Sequence, residues 1–413
     1  MLLIFGKDPN APEAGCKPHP NTTAGVENGA DGRVVSTLSA SMRLLLTFLP
    51  LLLSVCLLQL SSGGVGPLDA LTGLEAGFTT GQVGLLGSAH FVGFFIGCWW
   101  APRLMADVGH SRAYASMTAL GAIGLVAHVL VTDPLAWALL RVASGVCVAG
   151  CYTVIEAWLN ASVTNETRGR AMGGYRIVDI GASFAAQFMI GALASVETYI
   201  AYTLLTIFCC ASILPLAISR AAQPPRPATG RLRPALAWAR SPLAVAGVIV
   251  SAVSSASMRM VGPIYGAEVG LAADQIGLFL AAYVLGGGVA QYPAGWLADK
   301  YDRRWVLIWL SAASALACWI TVAGSGFGTG SIMGTAFVFG LTTVPIFSVA
   351  AAHAHDFASS EERVELSAAL MFFYALGAIG APLVTSALIG LAGAWWYYEQ
   401  TARADKRSSS SRW

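Results

Sequence analysis

The chain has 413 residues, of which 56% are hydrophobic and only 11% charged, and its mean hydropathy is +0.64. Soluble domains carry about 25% charged residues, so this composition excludes the soluble globular classes and predicts a protein that crosses a membrane many times. The formal net charge of +2 gives no reason to expect a nucleic-acid partner, because in a membrane protein the position of the cations matters more than their sum.

Apolar runs of about 20 residues, long enough to cross ~30 Å of hydrocarbon, predict the membrane-spanning helices. We number eleven such spans in chain order, near residues 44–67, 82–101, 113–131, 135–159, 171–193, 197–218, 243–265, 275–296, 305–323, 328–350 and 367–394. The stretch before them, residues 1–41, is polar and rich in Gly, Pro and Asn, which predicts a disordered N-terminal extension.

A proline- and arginine-rich segment divides these spans into two sets. Residues 219–242 contain five prolines and five arginines, which predicts a cytoplasmic linker between a bundle of six helices at residues 42–218 and a second bundle at residues 243–396. Residues 397–413 are too polar to cross a membrane and form a basic tail.

The loops between the spans separate cleanly by charge. One side of the predicted membrane carries six acidic residues and neither Lys nor Arg: Asp69, Glu75, Asp133, Glu197, Glu268 and Asp274. The other side carries thirteen cations: Arg103, Arg112, Arg168, Arg170, Arg220, Arg226, Arg231, Arg233, Arg240, Lys300, Arg303, Arg304 and Arg363. Cytoplasmic loops are enriched in Lys and Arg, so this asymmetry predicts a cytoplasmic N-terminus.

The two sets of spans also repeat one another. Gln82-Val-Gly84-Leu85 aligns with Gln275-Ile-Gly277-Leu278, which then places Gly93 against Gly286 and His90 against Tyr283. Because matching spans run in the same direction, the alignment predicts two parallel repeats.

A loop motif between spans 8 and 9 gives the most specific signal, and it reads Gly295-Trp-Leu-Ala-Asp299-Lys300-Tyr-Asp302-Arg303-Arg304. This pattern resembles the loop signature of the Major Facilitator Superfamily of secondary transporters. The first copy departs from the signature, since Pro102 and Ala106 stand at the positions of Gly295 and Asp299.

Other segments are similar to the bacterial YcaD-like branch of that superfamily, and the likeness runs from about Leu44 to Trp395. The segments are Pro102-Arg103-Leu104, Gly109-His110-Ser-Arg112, Val154-Ile155-Glu156-Ala-Trp158-Leu159-Asn160, Arg168-Gly169-Arg170 and Ala352-His353-Ala354-His355-Asp356. The resemblance implies an all-α membrane protein with two parallel repeats of six helices. The superfamily has twelve helices, so helix 12 is expected to be missing or truncated here.

Two arginines lie at bilayer depth, where an ionisable side chain is costly and marks a functional site. Arg141 in span 4 resembles the arginine of a superfamily motif implicated in proton coupling or substrate charge, and Arg259 lies at a similar depth in span 7. The resemblance implies that both spans line a central cavity. Two cations there favour an anionic substrate; the alternative is that each arginine bonds to backbone carbonyls or to a helix end.

Further candidates lie in spans 2, 4, 5 and 8. Glu156 could couple transport to protons, but Arg176 and Asp179 are expected at comparable depth, so a fixed network of these three residues is the stronger prediction. His90 and Tyr283 occupy equivalent mid-span positions and either reach the cavity or pack between helices, and packing is favoured.

Charge also predicts a gate on the cytoplasmic side. Asp299 is expected to face Arg168 and Arg170, while Arg103 and Arg112, on either side of Gly109, are expected to face Glu361 and Glu362. Such pairs between the two halves would hold the cytoplasmic side shut. The alternative is that all of them are ordinary solvated charges.

Together these features predict a monomeric secondary transporter in the lipid bilayer of a bacterial inner membrane. It would move a small molecule by alternating access, driven by protons, with no cofactor, metal or enzymatic activity. The alternatives are a non-transporting receptor or sensor on the same scaffold, or multidrug efflux. The Gly-Pro pair that resemblance to drug antiporters would require in span 5 is absent, since Gly181-Ala-Ser-Phe184 stands there.

Overall fold

Backbone polar groups have no partner in hydrocarbon, so a chain this apolar satisfies them within helices. A computed structural model describes residues 40–163, 167–219, 233–324, 328–359 and 362–410, and every regular element in these ranges is a helix. The helices are α1 Ala40–Glu75, α2 Thr80–Val108, α3 His110–Ala127, α4 Pro134–Ala161, α5 Arg168–Ala194, α6 Thr198–Ala211, α7 Ile213–Ile218, α8 Pro234–Arg240, α9 Pro242–Met260, α10 Gly262–Glu268, α11 Ala273–Lys300, α12 Arg303–Gly324, α13 Thr329–Asp356 and α14 Arg363–Ser410. The predicted N-terminal extension up to residue 39 and linker residues 220–232 lie outside these ranges.

Each predicted span coincides with one of these helices or with a broken pair. In the described ranges, ten helical segments are long and apolar enough to cross a membrane. The predicted span 3 falls outside those ten, because the 18 residues of α3 begin with the polar His110, Ser111 and Arg112. The last helix, α14, continues without a break past the predicted end of span 11 to Ser410, so this part of the chain holds no separate twelfth helix.

Two predicted spans are broken, and proline explains one of the breaks. Span 7 divides into α9 and α10 at Val261 because Pro263, in the first turn of α10, has no amide proton for the carbonyl one turn earlier. Span 6 divides into α6 and α7 at Ser212, whose hydroxyl accepts from Tyr114 and donates to the carbonyl of Cys209.

Because successive spans run in opposite directions, the turns alternate between two ends of the bundle. We call the end with the turns near residues 109, 301 and 357 the linker end, since the linker also attaches there. The end with the turns near residues 77, 130 and 270 is the far end.

Glycines let paired helices touch backbone to backbone at equivalent places in the two halves. A methyl group at Gly93 of α2 would overlap the carbonyl oxygen of Val142 on α4, and one at Gly286 of α11 would overlap that of Phe337 on α13. Gly145 and Gly340 supply the facing glycines, against the carbonyls of His90 and Tyr283 respectively. The repeat read from the sequence is thus built on two matching glycine crossings.

The two halves contact each other mainly through two helix pairs, α2 with α14 and α5 with α11. Their close contacts lie toward the far end, where Gly84 meets Pro382 and Ser386, and Gly191 meets Asp274. At the linker end, Gly295 has no atom within 4 Å of the position that a Cβ would occupy. The far end is therefore closed around small residues.

The glycine crossings predict a sharp difference between two alanine substitutions on one helix. Gly340→Ala places a methyl group on the backbone of α11, whereas Gly334, six residues earlier on α13, has nothing within 4 Å. We expect Gly340→Ala to lower the free energy of unfolding by about 1–3 kcal/mol. Gly334→Ala should be neutral or slightly stabilising. Thermal unfolding of both purified variants in detergent measures this, and equal Tm values would contradict it.

Candidate functional site

An acidic side chain that the sequence placed in an outer loop lies inside the protein. Asp69 is fully buried in α1, because that helix continues through Pro67 to Glu75 instead of ending at residue 67. The earlier assignment of Asp69 to the far-end loop is therefore wrong. The apolar run was read as ending at the glycines and Pro67, but a proline inside a long membrane helix is tolerated when neighbouring helices pack against it.

Asp69 pairs with the arginine predicted to carry function. Its Oδ2 lies 3.3 Å from Nε of Arg141, which is also buried. Arg141 is therefore neutralised by a carboxylate, in contrast to both interpretations made from the sequence, in which it met either a substrate anion or backbone carbonyls. An unpaired charge at this depth would be costly, which explains why the two residues face each other across α1 and α4.

Aromatic and imidazole groups enclose this pair at the far end. Tyr202 of α6 donates a hydrogen bond of 2.5 Å to Oδ1 of Asp69, and its ring stacks on that of His128 at 5.1 Å. Nδ1 of His128 lies 2.7 Å from the carbonyl oxygen of Gly124, and its Nε2 lies 3.9 Å from Oδ2 of Asp69. Four elements, α1, α4, α6 and the end of α3, thus meet at one carboxylate.

Arg141 also borders a small cavity in the middle of the first half. The cavity has about 20 Å³, room for one water molecule, and its polar lining consists of Ser61, Ser62, His90, Arg141 and Ser144. Nδ1 of His90 lies 3.3 Å from the hydroxyl of Ser144, whose proton goes to the carbonyl of Arg141. His90 therefore reaches a polar cavity.

The predicted charge network of spans 4 and 5 is brought together nearer the linker end. Arg176 lies 3.8 Å from Glu156 and 3.7 Å from Asp179, and Tyr175 donates to Glu156. The side chain of Arg176 is 59% exposed and that of Glu156 40%. Charged groups do not face lipid at this depth, so their exposed surface borders an aqueous cavity open toward the linker end.

A tyrosine joins this network to α1. The hydroxyl of Tyr152 lies 2.7 Å from Oδ1 of Asp179 and 2.5 Å from Oε1 of Gln59. One hydroxyl proton satisfies only one of these two acceptors. The second contact requires either a proton on Asp179 or the amide nitrogen of Gln59 facing the hydroxyl.

Arg259 is the second predicted cavity arginine, and its surroundings differ from those of Arg141. It occupies the last turn of α9, is exposed, and has no carboxylate within ion-pair distance among the residues whose side chains are described. Its carbonyl oxygen lies 3.8 Å from the Cβ position of Gly66 in α1, so it lies where α9 of the second half meets the first half. Tyr283 contacts Ser255, one turn before Arg259, at 3.4 Å.

The loop motif forms a compact charge cluster within the second half. Arg303 donates to Asp356 at 2.7 Å and to Asp299 at 3.2 Å, and it also donates to the carbonyl of Ala352. The ammonium of Lys300 lies 4.8 Å from the Trp296 ring, and Arg304 is exposed. Arg303 therefore ties the turn after α11 to the end of α13.

The predicted gate pairs are not formed where their side chains are described. Glu362 accepts from Arg240 at 2.6 Å, and this guanidinium holds the pKa of Glu362 below its usual value. Arg103 donates to the carbonyl of Trp99 in its own helix, and Arg112 is exposed. The side chains of Arg168 and Arg170, and the whole of Glu361, lie outside the described part of the chain. In this structure Glu362 therefore pairs with Arg240 and not with Arg103 or Arg112, and the gate remains a prediction.

The first copy of the loop motif turns more sharply than the second. Gly109, between α2 and α3, has φ of 86°, a backbone conformation that favours glycine. In the second copy the turn at Tyr301 is extended, and Asp302 caps α12 by accepting from the amide of Arg304.

Long apolar helices in two repeated halves, each with its own charge clusters, define a multi-pass membrane protein. The profile of the Major Facilitator Superfamily matches residues 51–244 and 243–398. The chain belongs to this superfamily.

Curated relatives are similar over most of the chain. It is 27% identical to an uncharacterized MFS-type transporter of Yersinia pestis over 351 residues, covering 82% of this chain and 89% of the relative. It is also 27% identical over 347 residues to the MFS-type transporter YcaD of Salmonella newport, with the same coverage.

Solved structures share the fold at low identity. A bacterial homologue of the human lysosomal transporter Spinster superposes with a TM-score of 0.69 at 16% identity, covering 84% of this chain and 83% of the other. A D-xylose-proton symporter gives 0.61 at 12% identity, covering 82% and 89%.

The losses of stability on removing the two partners of the buried pair should not be additive. We expect Asp69→Asn or Arg141→Gln alone to lower the free energy of unfolding by roughly 3–5 kcal/mol, because each leaves a buried charge unpaired. The double variant should lose less than the sum of the two. Tm measurements in detergent complete the cycle, with the exposed Arg176→Gln as the comparison, and additive losses would contradict the pairing.

Closing the far end requires glycine at the α2–α14 contact. Gly84→Leu collides with the backbone of Pro382, so we expect it to open the far end and bring the linker ends together. Spin labels at Asp107→Cys and Tyr301→Cys, in a chain whose native cysteines are replaced by serine, report that distance. Gly81→Leu, one turn earlier, is the matched control, because its Cβ position lies no closer than 3.9 Å to the hydroxyl of Thr79. An unchanged distance in Gly84→Leu would contradict the assignment.

Proposed function

We propose that this protein is a secondary active transporter of the bacterial inner membrane that moves a small anionic solute by alternating access and uses the proton gradient. The observation that carries the proposal is Arg259, a cation between the two halves without a carboxylate partner among the described side chains. Every other described arginine within the spans is offset by acidic groups. Arg141 faces Asp69, and Arg176 faces Glu156 and Asp179.

Arg259 suits an anion for three reasons. Its guanidinium presents several donors in a fixed plane, which matches a carboxylate or phosphate. Tyr283 adds a hydroxyl from α11, which contacts Ser255 one turn before Arg259. A ligand held by groups from both halves favours one arrangement of the halves over another, which alternating access requires.

The carboxylates of the first half support coupling to protons. Asp179 is joined to α1 through Tyr152 and Gln59. The single proton of the Tyr152 hydroxyl serves only one of these two acceptors, so a proton on Asp179 would satisfy the other contact. A proton on Asp179 would also neutralise its carboxylate, so that Arg176 would pair with Glu156 alone. The D-xylose-proton symporter among the structural neighbours shares the fold, and its name gives proton coupling for that protein.

The gate belongs to the same proposal. We assign the linker end to the cytoplasm on the distribution of cations in the loops. The described conformation is then open inward and closed outward. In the opposite state, charged residues of the cytoplasmic loops would meet across the two halves. Asp299 would face Arg168 and Arg170, while Arg103 and Arg112 would face Glu361 and Glu362.

Uptake by proteoliposomes tests the proposal. With an imposed pH gradient and a clamped membrane potential, we expect uptake of at least one solute from a panel of small carboxylates, phosphates and sulfonates. Arg259→Gln should raise the KM for that solute about 10-fold or more, because the ligand loses a charged partner. Arg259→Lys should recover part of the loss.

Arg233→Gln serves as the control, because its exposed side chain pairs with Glu365, which has no part in the proposed gate or site. Its KM should match that of the unmodified chain. Unchanged KM values for every anion in Arg259→Gln would remove the anionic substrate from the proposal, and uptake that ignores the pH gradient would remove proton coupling.

A further inference from the structure

The charges that border the aqueous cavity do not balance within the first half. Glu156 and Asp179 each carry a negative charge, and Arg176 is the cation that both of them share. Among the described side chains, no second cation lies within ion-pair distance of either carboxylate. The cluster therefore has one negative charge in excess. Because an uncompensated charge at this depth is costly, the cluster can take up a positively charged group.

The ion pairs of this cluster leave room for a second cation. Arg176 lies 3.8 Å from Oε1 of Glu156 and 3.7 Å from Oδ2 of Asp179, and both distances exceed the length of a hydrogen bond. The side chain of Glu156 is 40% exposed and that of Asp179 is 19% exposed, so both carboxylates are accessible from the cavity. An ammonium group presents three donors, which is enough to bind both carboxylates at once.

A buried amide beside Asp179 is incompletely bonded. The Tyr152 hydroxyl has one proton for two acceptors, Oδ1 of Asp179 and Oε1 of Gln59. Gln59 is only 6% exposed, and its amide nitrogen makes no hydrogen bond to a described residue. Turning the amide over exchanges its two polar atoms and still leaves one of them without a partner. Buried polar groups are nearly always bonded, so this one points to a bound component.

The unpaired arginine lies nearer the far end than this cluster. The two levels can be compared along α1, because the carbonyl of Arg259 lies beside Gly66 while the Tyr152 hydroxyl contacts Gln59. Residues 59 and 66 are about two helical turns, or ~10 Å, apart. Side chains lean toward the N-terminus of their helix, and α9 begins at the linker end, so the Arg259 side chain leans toward the carboxylates. The two charge sites are thus less than about 10 Å apart along the bundle.

We infer that the solute of the proposed function carries an ammonium group as well as its acidic group, and that Glu156 and Asp179 bind the ammonium while Arg259 binds the acid. The inference rests on the proposed function, because it adds a second group to the solute assigned there. Such a solute is a zwitterion whose charges are separated, and ω-amino carboxylates are the simplest members of this class.

Charge balance favours this class over simpler ions. A plain carboxylate compensates Arg259 but leaves the excess negative charge of the first half, and a plain amine does the reverse. An ω-amino carboxylate compensates both, so the occupied cavity is neutral. An α-amino acid has its two charges on neighbouring carbons, and it reaches only one of the two sites at a time.

Stabilisation of the purified full chain by ligands measures binding without transport. A ligand that binds only the folded protein raises the Tm with increasing concentration, and this dependence gives the Kd. The probes are γ-aminobutyrate and ε-aminocaproate, compared with butyrate and caproate, which lack the amino group. We expect the amino compound of at least one pair to bind about 10-fold more tightly or better, because it gains hydrogen bonds between charged groups. The isomer α-aminobutyrate should bind no more tightly than butyrate.

Substitutions assign this advantage to particular residues. Asp179→Asn and Glu156→Gln should each remove most of the advantage of the amino compound without weakening the plain carboxylate. Arg259→Gln should weaken both members of a pair by the same factor. Glu75→Gln removes an exposed acid at the far end and is the matched control, so it should retain the full advantage.

The outcomes separate this inference from the proposed function. Equal affinities within every pair, no stabilisation by any amino carboxylate, or an advantage that survives both Asp179→Asn and Glu156→Gln would overturn the inference. If one of these two variants fails to fold, the other decides. Equal binding of α- and γ-aminobutyrate would overturn the assignment of the two charges to separate sites. If Arg259→Gln leaves all affinities unchanged while the acid variants remove the advantage, the proposed function falls and the ammonium site stands.

Discussion

The rest of the structure depends on one constraint: a charged side chain within the bilayer needs an opposite charge beside it. The chain meets it by drawing helices together around carboxylates. Asp69 collects groups from α1, α3, α4 and α6, and Arg176 joins α4 to α5 through Glu156 and Asp179. Both clusters lie within the first half, so they hold that half together as one body. Arg259 lies outside either cluster, at the surface that the two halves share.

A second constraint acts on the backbone. Apolar side chains gain nothing by leaving lipid for one another, so helix pairs in a membrane are stabilised by close approach. Gly93 with Gly145, and Gly286 with Gly340, provide that approach within each half. Gly84 and Gly191 provide it between the halves at the far end. The internal contacts involve backbone on both sides, whereas those at the far end also face side chains, as where Gly84 meets Ser386.

The sequence predicted the helices and the repeat well, because both rest on local signals. Apolar length marks a span wherever it occurs, and the alignment of Gly93 with Gly286 and of His90 with Tyr283 holds at the two crossings. Asp69 was missed because its position after Gly66 and Pro67 looked like a turn, and only tertiary packing keeps α1 helical to Glu75. The signal that could have found it is distance: an acid two residues beyond a predicted span is still within one helical turn of it.

It was harder to predict which charged residues pair with each other than which residues belong to a charged cluster. Glu156, Arg176 and Asp179 could be grouped because Arg176 and Asp179 are three residues apart on one helix. The partner of Arg141 comes from another helix, 72 positions away in the chain by the difference between 141 and 69, and no periodicity relates the two. Glu362 likewise meets Arg240, which lies 122 positions away in the chain, and no periodicity relates these two residues.

The two repeats have come to differ in what their equivalent positions carry. His90 in the first half corresponds to Tyr283 in the second, and the crossing of Gly145 with Gly340 places Arg141 opposite Ala336. Conversely, Asp299 and its partner Arg303 belong to the second half, and the first has Ala106 at the place of Asp299. The ion pairs within the spans thus lie in the first half, and the charged loop cluster lies in the second. Among the described residues, the contacts that join the halves are apolar or involve glycine, as in the pairs of Phe95 with Phe372 and of Gly84 with Ser386, so neither type of charge cluster ties one half to the other.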